Sequence, residues 1–103
     1  MLNLEAITSE ELRRESNGTQ VVDGEPDVGR RALVAFLKAR REATETPHPL
    51  FLEHLRKQYV ALLSNGSVGA IYRVRNDLQL KRMRRIPQSV AYAAELFRRE
   101  NYV

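Results

Sequence analysis

The sequence predicts a small α+β fold with N-terminal helices, a three-stranded antiparallel β-meander and a C-terminal helix. Three observations predict it. "DVGRRALVAFLKARREATE" (27–45) places Leu33, Phe36 and Leu37 at helical spacing and is stopped by "TPHP". Asn65-Gly66 sits between two apolar runs whose residues match when counted outward from a two-residue turn. Pro87 stands where proline opens a helix, just ahead of a second amphipathic stretch.

From the N-terminus, "TSEELRRES" carries a capping box. Thr8 accepts from the amide of Glu11, the Glu11 carboxylate reaches back, and Asn17-Gly18 stops the helix. A helix of about two turns needs tertiary contacts from Leu4, Ile7 and Leu12. "GTQVVDGEPD" (18–27) reads as a loop in which Val21 and Val22 either form a short edge strand or pin the loop to the core. Asp27 then caps the second helix, and Arg40 and Arg41 fall in its last turns, where cations suit the helix dipole.

The stretch after "TPHP" is ambiguous. Phe51, Leu55, Tyr59 and Leu62 are spaced four, four and three apart, as in one long helix. The competing reading ends a short helix near Arg56 and starts a strand at Gln58. The hairpin then pairs Leu63 with Val68, Ala61 with Ala70, Val60 with Ile71 and Tyr59 with Tyr72, like with like. We favour the hairpin. A three-residue loop or bulge after Asn76-Asp77 pairs Val74 with Leu80, Arg73 with Lys81 and Ile71 with Met83. The strands expected are 58–64, 67–75 and 79–86. Val90, Ala93, Ala94 and Phe97 form one stripe on the last helix, and the helices are expected to cover one face of the sheet.

A chain of 103 residues fits a single domain, 1–103. Its net charge of +4 is unevenly divided. Residues 1–27 hold seven acids against two bases, and residues 28–103 hold fifteen bases against six acids. The acids serve either as local helix chemistry or as an arm folding over a basic surface. No cysteine is present, which removes thiolate and disulfide chemistry and fits a reducing compartment, so a cytoplasmic location is expected. Neither a signal peptide nor an apolar run long enough for a membrane span is visible.

Little points to catalysis. His48 and His54 match no metal motif, there is no nucleophile elbow, and "NGSVGA" lacks the lysine of a phosphate-binding loop. No cofactor and no metal are expected. The concentrated feature is "YRVRNDLQLKRMRRIPQ" (72–88), with Arg73, Arg75, Lys81, Arg82, Arg84 and Arg85 against the single acid Asp77. Arg73, Arg75, Lys81 and Arg85 are expected on one sheet face, with Arg82 and Arg84 on the other. Charges on an edge strand also block unwanted pairing. Five of the six bases are arginines, whose planar fork suits carboxylate and phosphate.

The expected function is a small non-enzymatic regulatory or adaptor protein that binds an acidic partner through this arginine-rich face. The alternative is nucleic-acid or ribonucleoprotein binding through phosphate contacts. A small enzyme is a third, weaker reading. On the nucleic-acid alternative, Tyr59 and Tyr72 are candidates for base stacking, against the simpler expectation that they are core aromatics.

Overall fold

A computed structural model describes residues 4, 6–39, 46–64 and 67–101. The elements run α1 (Ser9–Glu15), β1 (Thr19–Val21), α2 (Pro26–Ala39), β2 (His48–His54), β3 (Lys57–Leu63), β4 (Val68–Val74), β5 (Leu80–Arg82) and α3 (Gln88–Asn101). The class is α+β. The sheet has five antiparallel strands in the order β1-β2-β3-β4-β5, so the expected three-stranded meander is the C-terminal part of a larger one.

Two additions make up the difference. The expected short helix before Arg56 is strand β2, and the 18–27 loop contains edge strand β1. The helical spacing of Phe51, Leu55, Tyr59 and Leu62 was fortuitous. Leu50 and Leu52 are buried on one face, Phe51 packs on the other, and Leu55 is exposed. A sheet covered on both faces makes its inner strands read as continuous apolar runs, which erases the alternation that marks a strand. All of Tyr59–Leu63 is buried for this reason.

Helices therefore cover both faces rather than one. On the first face, Val28, Ala32 and Phe36 of α2 pack on Val60, Leu62, Ala70, Tyr72 and Val74. On the second, Val90, Ala91 and Ala94 of α3 pack on Leu50, Leu52, Tyr59, Ala61, Leu63, Val68 and Ile71, joined by Ala93 and Phe97.

The β3–β4 register begins as expected, with Leu63 opposite Val68, and then slips by one. Leu62 faces Ala70, Ala61 faces Ile71 and Val60 faces Tyr72, because a bulge interrupts the ladder at Leu62/Leu63. Gly69 is the additional residue. A Cβ there would stand 3.0 Å from Cζ of Phe36, so the bulge lets the α2 aromatic close on the backbone. The Asn65-Gly66 turn lies outside the described residues, as does the expected continuation of α2 through 40–45 with Arg40 and Arg41. At the next turn, Val74 faces Leu80 and Arg73 faces Lys81, while the Met83 amide donates to the Ile71 carbonyl, as expected.

The helix ends follow local chemistry. Thr8 accepts from the Glu11 amide at 3.1 Å and caps α1, whose Leu12 is buried. Helix α2 begins at Pro26, two residues earlier than a cap at Asp27 would place it. Asp27 lies within its first turn, beside the helix dipole, while the Glu25 carbonyl receives the amides of Val28 and Gly29. The Pro87 carbonyl likewise receives Val90 and Ala91 at the start of α3. No helix among the described residues is long and apolar enough to cross a membrane.

Candidate anion-binding site

The cross-strand row Leu52–Tyr59–Arg73–Lys81 runs from the buried centre of the sheet to its β5 edge, on the α3 face. Helix α3 packs over β1 to β4, so the row emerges from beneath it toward β5. Arg73 is accordingly half-buried and Lys81 exposed. Arg73, Arg75, Asn76, Asp77 and Lys81 line an open recess of about 560 Å³.

The turn at the mouth of this recess is a three-residue hairpin loop. The Arg75 amide donates to the Gln79 carbonyl and the Leu78 amide to the Arg75 carbonyl, both at 2.8 Å. The Gln79 amide donates to the Asp77 carboxylate at 3.1 Å, which holds the recess's one acid to its own turn. Asp77 also lies 3.9 Å from Nε of Arg75, with both side chains more than half exposed, a geometry that contributes little stability.

Arg73 is the unusual member. Its Nε, like that of Arg31 outside the recess, is buried and has no hydrogen-bond partner among the described residues. A buried charge-bearing donor left unpaired costs about 1–3 kcal/mol, so native proteins rarely keep one. Among the described residues no carboxylate pairs with Arg73, Lys81, Arg82, Arg84 or Arg85.

The six predicted bases do not form a single surface. Arg73, Arg75 and Lys81 converge on the recess. Arg82 pairs with Tyr72 on the opposite, α2 face. Burial pushes the Tyr72 hydroxyl pKa up, and the neighbouring positive charge of Arg82 opposes that rise. Strand β5 stops at Arg82, short of the expected 86. Arg84 and Arg85 are exposed in the bend that leads to α3. Tyr59 and Tyr72 are core aromatics, 3% and 5% exposed, and not stacking platforms.

The fold also assembles a cluster with no local signature in the sequence. Nδ1 of His54 lies 2.9 Å from Oγ1 of Thr19, 3.4 Å from Oγ of Ser89 and 3.1 Å from the Gly18 carbonyl. Thr19 and Ser89 hydroxyls also contact each other, and Ser89 donates to the Asn17 carbonyl at 3.1 Å. A hydroxyl beside a histidine resembles an activated nucleophile. The hydrogen-bond directions argue otherwise. A carbonyl only accepts, so the bond to Gly18 requires Nδ1 to carry the proton, and the Ser89 proton is directed at Asn17. The cluster therefore fastens the start of α3 to β1 and β2. Its members come from three distant parts of the chain, and only the sheet register brings them together.

No group of three or more metal-ligating side chains occurs among the described residues. No protein-family model matches the chain, and no curated protein or solved structure is significantly similar to it.

Proposed function

We propose that the protein is a small non-enzymatic adaptor or regulatory module that takes an acidic protein partner at the Arg73–Arg75–Lys81 recess. The observation that carries the reading is the buried, unpartnered Nε of Arg73, a residue that lines an open basic recess. A partner carboxylate entering there supplies the missing acceptor, and a guanidinium binds a carboxylate with two parallel bonds. A reducing compartment such as the cytoplasm fits a chain without cysteine.

The distribution of charge favours a compact ligand over a nucleic-acid backbone. A duplex or single strand is held by a continuous basic track. Here three bases converge in one recess while Arg82 lies on the other face of the sheet.

Fluorescence anisotropy with a labelled Glu/Asp-rich peptide and a mixed-sequence RNA, at two salt concentrations, tests this. The peptide is expected to bind more tightly than the RNA near ~0.15 M salt, where long-range attraction is screened. Arg73→Gln with Lys81→Gln should weaken peptide binding at least about tenfold, the size of one lost charged hydrogen-bond pair. RNA binding tighter than the peptide, with a log–log salt slope of about −4 for six phosphate contacts on a single strand, would assign the bases to phosphates instead. Binding of neither ligand would leave the recess without an anionic role.

A further inference from the structure

Among the described residues, three non-glycine residues adopt a left-handed backbone, and all three lie at one end of the sheet. Leu55 (φ 52°) and Arg56 (φ 64°) form the two-residue turn between β2 and β3, and Leu78 (φ 63°) closes the loop between β4 and β5. The register fixes their common end. Lys57 opens β3, Val74 closes β4, and Gln58 pairs with Val74. Turns of the first kind are usually Asn-Gly or Asp-Gly, and the last position of the second is usually glycine, because side chains at positive φ are strained. This chain places two leucines and an arginine there.

The leucines are also exposed, Leu55 by 77% and Leu78 by 48%. A single exposed leucine requires no explanation. Two of them, each at a strained turn position and on the same end of the sheet, form a coherent feature, because backbone strain concentrates at functional sites. Leu55 follows β2 and Leu78 lies at the β5 end of its loop, so the two stand three strand spacings apart, roughly 14 Å. Bases outnumber acids near both, with Arg56 and Lys57 following Leu55, and Leu78 in the loop whose Arg75 and Asp77 line the recess with Arg73 and Lys81.

We propose that the Leu55 and Leu78 hairpin tips form the apolar half of the docking surface, and that the partner is an acidic peptide segment with two leucine-sized side chains roughly 14 Å apart. This rests on the acidic-partner reading of the recess and adds the partner's second requirement. Charge complementarity selects the acidic residues, and each exposed leucine tip offers apolar area that a partner side chain can remove from water. Tight turns hold those anchors in place before the partner arrives, which reduces the ordering cost of binding.

The test uses two labelled peptides of equal length and acidic charge. One carries leucines at positions i and i+4, about 14 Å apart in an extended strand, and the other carries serines there. The leucine peptide should bind the wild-type protein at least fivefold more tightly than the serine peptide. Leu55→Asn with Leu78→Asn should erase that preference, while Arg73→Gln should weaken both peptides. Asparagine tolerates positive φ, so the double variant should melt at the same or a higher temperature, which separates lost binding from lost folding. Equal binding of the two peptides to the wild-type protein would overturn this inference and leave the recess reading standing. Binding of neither would overturn both.

Discussion

At the residue scale, two charged side chains show opposite solutions to burial. Glu95 is 3% exposed on α3 and is fully answered. Nε and a terminal nitrogen of Arg98 donate to its two oxygens, and Nε of Arg99 donates to one, all at 2.8 Å. Arg99 also donates to the Leu4 carbonyl, so the carboxylate organises the contact between the N-terminal segment and α3. Burial pushes the Glu95 pKa up, but the hydrogen bonds and charges of Arg98 and Arg99 outweigh it and hold the carboxyl below its ordinary value. Its contribution to stability is therefore present above the unfolded carboxyl pKa of about 4.3 and is lost as pH falls through the lower folded value. Glu95→Gln should cost about 3 kcal/mol in urea denaturation at neutral pH, with the difference from wild type shrinking at acid pH. Arg73 is the unanswered case. Arg73→Met removes a buried unpaired donor and keeps the apolar stem, so stability should stay within about 1 kcal/mol of wild type or rise. A loss of 3 kcal/mol or more would mean that Arg73 holds the fold and not a ligand.

At the element scale, the sequence was legible where one pattern dominated. The capped α1, the β4–β5 register and the stripe on α3 all follow local rules that the structure keeps. Strand β2 was hidden because Leu50 and Phe51 serve opposite faces of a sheet covered twice, so neighbouring apolar residues imitate a helix. The bulge was hidden because Gly69 matters through Phe36, a residue more than thirty positions away. Gly69→Val should displace that ring and cost about 2 kcal/mol, measurable by thermal or urea unfolding. The left-handed Leu55 gives the opposite expectation. Leu55→Asn should raise stability by up to about 1 kcal/mol, because it relieves backbone strain at an exposed turn. Unchanged or lower stability would mean that the Leu55 side chain supports the hairpin.

For the whole molecule, charge separation and topology have to be read together. The described part of the acidic N-terminal segment packs away from the β5 edge. It supplies α1, packed on α3, and β1, the edge strand opposite β5 and about 19 Å away across the sheet. Three of its acids act locally: Glu10 and Glu11 lie in the first turn of α1, and Asp27 pairs with Arg31, which also donates to the Leu78 carbonyl. The recess was partly legible. The parity of the β4–β5 turn placed Arg73, Arg75 and Lys81 on one face, but the burial of Arg73 depends on how far α3 reaches across the sheet, which local sequence does not encode. The most direct test of the central claim is a titration of isotope-labelled protein with the leucine-bearing acidic peptide, followed by backbone and arginine Nε–H NMR signals. The account predicts the largest shifts at Arg73 Nε–H, Arg75–Gln79, Lys81 and Leu55. Shifts confined to α2 or to Arg82, Arg84 and Arg85, with the Arg73 Nε–H signal unmoved, would contradict it.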